Sequence, residues 1–359
     1  MAVNLAEKYA KELAQAFKQK SVVDGVASKA YDFEGVKELN VYTVVSQKLN
    51  NYKRNGTNRY GDPQEAQDTV QKMTMERDRS FSITVDKGNN LEQMGAKEAS
   101  KILSIEMSEQ AVPEMDKYAL GKWADFAGNV VAAAAEPTKT TIVQMLSDGM
   151  VHMSNKKVPT EGRYIFIGWS YFGMLRLSTE FIGVEALAKE ALVKGAVGTF
   201  MGAQVICVPD DYLMKGANKA YFLIVYGNAV LQPKKVQDYF VKHNPAGING
   251  ALIEGRFIYD AFVIGAKCDG VYASVAKSAA QAAPTFAFTS PNLTVTASGA
   301  SKIRVTTDGS DPRFSDTATE TTSGGSIKLP TGKTKAKAVA FSDTLFTSAV
   351  AEDAERTVS

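Results

Sequence analysis

The spacing of apolar and polar residues changes along the chain. It divides the chain into a body predicted to contain both helices and strands and a C-terminal region predicted to contain only strands. At the start, Leu5, Tyr9, Leu13 and Phe17 recur every four residues between charged side chains. This spacing places them on one face of a helix and predicts an amphipathic N-terminal helix. Beyond residue 284 no helical period is found, and short apolar runs between Gly, Ser, Asp and Thr predict strands.

Two segments before residue 90 have the period expected for strands. Val41–Val45 is rich in β-branched and aromatic residues, and Phe81, Ile83 and Val85 alternate with polar residues. The intervening residues 50–71 are polar and turn-prone. We expect a two-stranded arm with a polar tip, too poor in apolar residues to be stable alone. An ordinary hairpin lying on its own domain is the alternative.

A long helix follows the arm. Asn89 is a plausible N-cap, and Glu92 completes a pair that resembles a capping box. Apolar residues then keep helical spacing as far as Ile105, and the pattern continues to Phe126. Pro113 should end or kink the helix, because proline lacks an amide hydrogen and clashes with the preceding turn. We expect this to be the longest helix of the protein.

Helices and strands alternate between residues 138 and 275. Helices are predicted at 138–154, 171–177 and 184–192, and strands at 163–170, 202–209, 219–227 and, as a pair, 251–274. Residues 228–247 are interpreted as a connection. The fold class predicted for this body is therefore α+β.

The terminal region begins after a stretch of small residues with one proline, 276–284, which predicts a flexible linker. Strands are then predicted at Leu293–Thr296, Ile303–Thr306, Ile327–Leu329, Lys335–Phe341 and Leu345–Val350. Their short length and the turns between them indicate a small β-sandwich over residues 285–359.

Net charge, cysteine content and the length of apolar runs limit the classes of function that the protein can have. The 41 Lys and Arg residues nearly balance the 39 Asp and Glu residues, so net charge does not indicate a nucleic-acid-binding protein. Cys207 and Cys268 are too few for a disulfide framework and are interpreted as reduced thiols. We find no secretory signal and no apolar run of roughly 20 residues, and therefore expect a soluble protein made inside a cell.

Catalytic motifs are not found. The two histidines, His152 and His243, lie outside any HxH or HExxH pattern, and neither GxSxG nor CxxC occurs. Gly195, Gly198 and Gly202 precede a strand and do not fit a phosphate-binding loop. The sequence therefore predicts that the protein is not an enzyme, and it predicts no catalytic, cofactor-binding or metal site.

Two carboxylates in one predicted strand are candidates for an acid–base pair. Glu254 and Asp260 lie six residues apart. Alternation would place both on one face of a strand, about 20 Å apart, which is too far for the acid and base of a glycosidase. We expect a structural role instead, either pairing with Arg256 or contact with a neighbouring subunit.

Basic residues concentrate around the predicted arm. They are Lys48, Lys53, Arg54, Arg59, Lys72, Arg77 and Arg79. Two interpretations remain open, a solvated surface or docking onto an acidic patch of another copy of the chain. The candidate contacts between subunits are therefore Lys53, Arg54, Arg59, Arg77 and Arg79, together with Glu254, Arg256 and Asp260.

Residues 305–316, VTTDGSDPRFSD, first suggest a calcium loop or the rim of a sugar-binding site. Pro312 and Arg313 interrupt the alternating ligands that a calcium loop needs, and no Glu ends it. Two turns fit better. Asp308 with Gly309 suits a tight turn with positive φ, and Asp311 before the proline suits a turn capped by the aspartate side chain.

The order of segments over residues 1–275 resembles the major capsid protein of tailed bacteriophages, which has the Hong Kong 97-type fold. The likeness lies in the arm ending in FSITVDKGNN, the helix EQMGAKEASKILSIEMSEQAVPEMDKYAL, and the runs GAVGTFMGAQVICVPDD and NPAGINGALIEGRFIYDAFVIGAKCDGVY. The resemblance implies an N-terminal arm (1–40), an extended E-loop (41–86), a peripheral domain with a spine helix (87–137 and 251–275) and an axial domain (138–250).

The terminal region resembles a second family. Its runs TTDGSDP and KAKAVAF are similar to the immunoglobulin-like module at the C-terminus of some chitobiases. In those proteins the module is an accessory domain without catalytic residues, and phage capsid proteins often carry an immunoglobulin-like domain at one end. The resemblance implies a decoration domain on the outside of a shell that could contact glycans weakly.

Together the resemblances imply a structural protein of the virion, assembled in the host cytoplasm as hexamers and pentamers of a closed icosahedral shell. The implied partners are other copies of the chain, portal and scaffolding proteins, and packaged DNA bound without sequence specificity; no membrane and no cofactor is implied. Two alternatives stay open, an encapsulin-like compartment and a carbohydrate-binding or carbohydrate-active surface protein. The absence of a signal peptide and of paired carboxylates speaks against the second.

Overall fold

The computed structural model describes residues 20–31, 33, 38–44, 49–61, 65, 68–88, 99–177 and 196–358. The predicted N-terminal helix from Leu5 to Phe17, the capping pair Asn89 and Glu92, the helix at 184–192, and Lys48 lie outside these residues. Within the described part, the α-helices are α1 (Ala99–Glu106), α2 (Val112–Asp125), α3 (Ile142–Asn155) and α4 (Trp169–Arg176). None of the helices in these ranges is long and apolar enough to cross a membrane.

Fourteen strands belong to the described part of the body. They are β1 (Glu38–Val44), β2 (Asp68–Thr74), β3 (Arg77–Asp86), β4 (Asn129–Ala133), β5 (Arg163–Gly168), β6 (Ala196–Phe200), β7 (Ala203–Val208), β8 (Met214–Lys215), β9 (Asn218–Tyr226), β10 (Val230–Leu231), β11 (Lys234–His243), β12 (Gly250–Tyr259), β13 (Phe262–Val263) and β14 (Val271–Ala276).

A seven-stranded mixed sheet forms the centre of the body, in the order β4-β14-β9-β5-β7-β6 with β8 paired to β9. Its inner strands are apolar along their length because both faces are covered. In β9, Leu223 and Val225 enter one hydrophobic cluster, and Phe222 and Ile224 enter another on the opposite face. Helix α2 covers the first face, and helices α3 and α4 cover the second. The predicted strands β5, β7 and β9 and the helices α3 and α4 are confirmed.

The predicted long helix is confirmed from Ala99 to Asp125, but it is not regular. Five residues, Met107–Ala111, have π-helical geometry immediately before α2, whose first turn contains Pro113. Proline removes one helical hydrogen bond and crowds the preceding turn, and the wider π turn lets the helix continue through it. Trp123, buried in α2, donates its indole N–H to the carbonyl oxygen of Leu231 at 3.2 Å.

A buried carboxylate fixes residues 20–31 against helix α2. Asp116 accepts hydrogen bonds from the hydroxyl of Ser21 at 2.7 Å and from the amide of Val22 at 2.8 Å. Burial raises the pKa of Asp116 to about 6, although both hydrogen bonds act to lower it. Val23 and Val26 enter the same hydrophobic cluster as Trp123. The first residues that the structure describes are therefore part of the body.

The arm is a two-stranded hairpin, but its second strand is not the predicted one. Strand β1 pairs with β2, from Glu38 opposite Thr74 to Val44 opposite Asp68. The segment with Phe81 and its alternating neighbours forms β3, which pairs with β12 instead. Strand β2 is mostly polar, with Val70 and Met73 as its apolar residues, whereas the apolar residues of β3 alternate regularly with polar ones.

A three-stranded sheet, in the order β11-β12-β3, lies beside the long helix. Its edge strand β11 falls in residues 228–247, for which the sequence predicts a connection. That interpretation is wrong, because β11 pairs with β12 from Lys234 opposite Tyr259 to His243 opposite Ala251. The strand was missed because polar and apolar residues are exposed together along it, so it has no period of two.

Residues 285–358 form an all-β module. Its strands are β15 (Thr285–Thr289), β16 (Asn292–Thr296), β17 (Lys302–Thr306), β18 (Thr319–Thr321), β19 (Gly325–Lys328), β20 (Gly332–Thr334), β21 (Lys337–Phe341), β22 (Ala351–Glu352) and β23 (Arg356–Val358). The main sheets are β15-β16-β19 and β18-β17-β21-β22. Leu293 of the first sheet and Ile303 of the second belong to one hydrophobic cluster, so the two sheets share a core.

The predicted linker is packed rather than free. Phe346 donates its amide to the carbonyl oxygen of Ala279 at 2.8 Å and accepts at its own carbonyl from the amide of Gln281 at 2.9 Å. Phe346 and Ala279 are both buried in the cluster that contains Trp123. The interpretation of 276–284 as a flexible spacer is wrong, and so is the predicted strand Leu345–Val350, which is a loop that enters the body.

Candidate functional site

Glu254 and Arg256 do not pair with each other; each binds across the three-stranded sheet. Arg256 donates from Nε and Nη2 to the two carboxylate oxygens of Asp78, at 3.0 and 2.6 Å. Lys242 donates from Nζ to a carboxylate oxygen of Glu254 at 2.6 Å. The two pairs tie β12 to β3 and to β11. The hydrogen bonds from Arg256 also hold the pKa of Asp78 below its usual value.

Asp260 follows the end of β12 and is buried, so it cannot be a contact between subunits. Its carboxylate accepts hydrogen bonds from the phenol of Tyr118 at 2.9 Å, the amide of Glu76 at 2.9 Å and the amide of Ala261 at 2.7 Å. Burial, together with the charge of Asp260, raises the pKa of Tyr118. Asp260 therefore joins β12 to helix α2 and to the residues before β3.

Replacing Asp260 by asparagine is expected to lower the free energy of unfolding by about 1–3 kcal/mol. The carboxylate accepts from three donors with its two oxygens, whereas asparagine has one acceptor oxygen. Its NH2 group would therefore point at a donor that would lose its hydrogen bond. Urea denaturation measures the change. Glu254→Gln is the matched control, because its pair with Lys242 is exposed and should contribute at most about 1 kcal/mol. Equal losses in the two variants would contradict the joint assigned to Asp260.

Two of the basic candidates face the long helix of their own chain. The guanidinium of Arg77 lies over the ring of Tyr118, 4.6 Å from its centroid. Arg79 forms an ion pair with Glu114, with 3.1 Å between Nη2 and Oε1. Both arginines lie on β3, which is not part of the arm. The charge of Arg79 is thus paired inside the subunit and that of Arg77 lies on an aromatic ring, which favours a structural role over docking.

The other basic candidates, Lys53, Arg54 and Arg59, lie at the exposed tip of the arm. The tip is held by backbone contacts, among them the amide of Lys53 to the carbonyl of Arg59 at 2.9 Å. The rings of Tyr52 and Tyr60 meet edge to face with centroids 5.1 Å apart. Among the described residues, neither Lys53 nor Arg54 has an ion-pair partner.

The arm exposes apolar side chains as well as charge. Tyr42, Val44 and Leu49 are 67, 70 and 100% exposed. Tyr42 and Val44 lie on the same face of β1, opposite the face from which Val41 is buried. Isolated exposed apolar residues are common, but a series of them along a two-stranded arm indicates a surface that another molecule covers.

The edge strand β11 presents a second such surface. Its residues Tyr239, Phe240 and Val241 are exposed in succession, so apolar groups point from both faces. The outer side of β11 pairs with no described strand. A long edge with free backbone groups and apolar side chains can pair with another chain. Sequence reasoning missed this strand, although the consecutive aromatic and β-branched residues were a signal for it.

The motif at residues 305–316 forms the two predicted turns. Asp308 accepts hydrogen bonds at one oxygen from the amide and hydroxyl of Ser310, at 2.9 and 2.5 Å, and Gly309 has a φ of 81°. Asp311, followed by Pro312, accepts from the amide two residues on at 2.9 Å. The turn interpretation is confirmed. In the described residues, no three His, Cys, Asp or Glu side chains are grouped to hold a metal ion.

Comparison with known proteins identifies the fold. No protein-family profile and no curated protein matches the sequence. Solved structures that match are a chain of Mycobacterium phage Che8 (TM-score 0.62, 15% identity, 76% of this chain and 98% of that chain), the capsid of cyanophage P-SCSP1u (0.61, 14%, 76% and 93%) and the head of Helicobacter pylori bacteriophage KHP40 (0.57, 12%, 76% and 95%). The fold is that of phage capsid proteins. The predicted Hong Kong 97-type α+β fold is confirmed.

The phage capsid fold accounts for most of the chain. The matched chains are covered almost completely, whereas this chain is covered to 76%. About a quarter of it is therefore additional to the shared capsid fold, a share close to that of the all-β module at residues 285–358.

Proposed function

We propose that this chain is the major capsid protein of a tailed bacteriophage and that it assembles with copies of itself into the closed shell around the genome. One observation carries the proposal, an arm with exposed apolar side chains on a phage capsid fold. A single subunit leaves Tyr42, Val44 and Leu49 in water, and a neighbouring subunit would cover them. The near-complete coverage of capsid and head proteins supports a structural role over catalysis.

We assign the parts of the chain by the same likeness. The hairpin of β1 and β2 corresponds to the E-loop in this proposal. The long helix with the sheet β11-β12-β3 corresponds to the peripheral domain, and the seven-stranded sheet with α3 and α4 corresponds to the axial domain. Relative to the sequence prediction, β3 moves from the E-loop to the peripheral domain, because its partner is β12.

We assign the module to the immunoglobulin-like class on the order of its strands. The first, second and fifth strands form one sheet, and the fourth, third, seventh and eighth form the other. Two antiparallel sheets around one core are the architecture of this class. The 311–315 turn faces the body, so a glycan contact by the module would use another face.

Shell formation requires contacts between unlike surfaces that close on themselves. The arm and the edge strand β11 are two such surfaces on one subunit, which supports contacts that repeat from one copy to the next. Hexamers and pentamers are the intermediates of this proposal. We further propose that scaffolding and portal proteins bind this shell, and that packaged DNA lies against its inner face without sequence-specific contacts. Obligate interfaces of this kind bury on the order of 2,000–5,000 Å².

The proposal is tested by expressing the full chain and separating it on a sizing column, followed by negative-stain electron microscopy. We expect closed shells or rings of five and six subunits. Because scaffolding proteins can be required, the chain is also expressed together with the neighbouring genes of its genome. A monomer under both conditions, at concentrations up to the millimolar range, would contradict the proposal.

A further inference from the structure

The module is joined to the body through the end of helix α2. Phe346 of the module is 1% exposed and lies in the cluster of the body that contains Trp123. Beside it, the hydroxyl of Thr347 donates to Asp125 at 3.5 Å, and the same carboxylate binds Lys215 at 2.7 Å. Apolar and charged groups of the two parts thus meet in one continuous interface.

Arg313, in the middle of the 305–316 motif, is the polar centre of this interface. It is 6% exposed, and its guanidinium donates to the carboxylate of Asp311 from Nε at 3.0 Å and from Nη2 at 2.6 Å. Nη1 donates to the carbonyl oxygen of Ala127, two residues beyond the end of α2. Its Nη2 also lies 3.9 Å from Sγ of Cys268. A buried guanidinium with these acceptors fixes one orientation of the module.

The next residue, Phe314, reaches toward the base of the arm. Its ring packs on that of Phe126, with centroids 6.2 Å apart. Its Cβ lies against Gly265, where an added Cβ would come within 2.8 Å of it. The amide of Gly265 in turn donates to Oε1 of Gln71 at 2.7 Å, and Nε2 of Gln71 donates to the carbonyl of Val263 at 2.8 Å.

Gln71 lies on β2, the return strand of the arm. Residues 263–265 are thus hydrogen-bonded to Gln71 of the arm on one side and packed against Phe314 of the module on the other. The three parts also line a common cleft, in which Lys72 of the arm, Lys122 of the helix and Arg304 of the module take part. The module therefore touches the loop that holds the arm in place.

We propose that the C-terminal module positions the arm, by wedging its 311–315 turn between the end of helix α2 and the 263–265 loop. The module is then a structural part of the subunit that supports the arm, and not a separate decoration domain on its surface. In the shell, and therefore resting on the proposed function, it would set the direction in which each subunit offers its arm to the next.

Two cysteines allow the docking to be tested without reference to assembly. Cys268 is in contact with Arg313, and burial raises its pKa to about 11. Cys207 lies in the central sheet, far along the chain from the module, and burial raises its pKa to about 12. Phe314→Ala and Arg313→Lys both keep a positive charge beside Cys268. We expect each to accelerate maleimide labelling of Cys268 by about tenfold and to leave Cys207 unchanged.

The control for labelling is Arg356→Ala, which removes a module arginine that pairs with Asp353 and lies over the ring of Phe288, both of them residues of the module. It should leave Cys268 unchanged. All measurements use the subunit fraction from a sizing column, so a failure to form shells leaves this test intact. Unchanged labelling of Cys268 in both Phe314→Ala and Arg313→Lys would overturn the docking.

Positioning of the arm needs a second readout. Amide hydrogen exchange of residues 68–74 should become faster in Phe314→Ala, because the 263–265 loop loses its support. In Gln71→Ala the same amides should exchange faster while Cys268 keeps its labelling rate, because only the link to the arm is cut. Faster labelling of Cys268 in Phe314→Ala without faster exchange at 68–74 would overturn the proposal, as would unchanged exchange in Gln71→Ala.

Discussion

Replacing Tyr42, Val44 and Leu49 together by serine is expected to stop shell formation while the subunit remains folded. Each side chain is at least two-thirds exposed in the single chain, so the free energy of unfolding should change by about 0.5 kcal/mol or less per position. On assembly the same side chains would leave water. Burying one large apolar side chain contributes about 1.5–3 kcal/mol.

Three such positions on every arm change the assembly equilibrium strongly. Each 1.4 kcal/mol or so is a factor of about ten in an association constant, so the concentration needed for assembly should rise on the order of a thousandfold or more. Light scattering against subunit concentration measures this threshold, and urea denaturation of the subunit fraction checks that folding is retained. Asn40→Ser, on the same exposed face of β1, is the control and should assemble normally. Normal assembly of the triple variant would contradict the role given to the arm.

The elements buried on both faces could be predicted from the sequence. Strands β5, β7 and β9 are continuous apolar runs because helices cover both sides of the central sheet. The long helix could be followed through Pro113 because its apolar spacing continues to Phe126, although the π-helical turn before the proline leaves no signal in that spacing. In each case the subunit's own core determines the residue pattern.

The elements that face water in the single chain could not be predicted in the same way. Strand β11 mixes polar and apolar residues on exposed faces, so the period of two is lost. Strand β2 is polar at most positions although Met73 is buried, so the wrong partner was assigned to the arm. Arg313 shows a different limit. In the sequence it only interrupts the ligand pattern of a calcium loop, and nothing in local spacing indicates that its guanidinium will be buried against Ala127, which is 186 residues away in the chain.

Replacing Phe346 by alanine is expected to lower the free energy of unfolding by about 3–5 kcal/mol, the cost of removing a fully buried aromatic ring. The residue belongs to the module in sequence and to the body in packing, since it lies in the cluster with Trp123 and Ala279. Both parts should therefore lose stability together. A module that merely decorated the surface would unfold separately and leave the transition of the body unchanged.

Urea denaturation with two probes distinguishes these outcomes. Trp123 is buried in the body, so tryptophan fluorescence reports mainly on that part, while hydrogen exchange of β17 and β21 reports on the module. Phe288→Ala is the matched control, because that ring is half-buried on the module's own core and should mainly affect the module. If the transition of the body shifts in Phe346→Ala and stays in place in Phe288→Ala, the last fifth of the chain contributes to the core of the body. If the fluorescence midpoint stays in place in Phe346→Ala, the module is thermodynamically separate, and its deletion should leave the body intact.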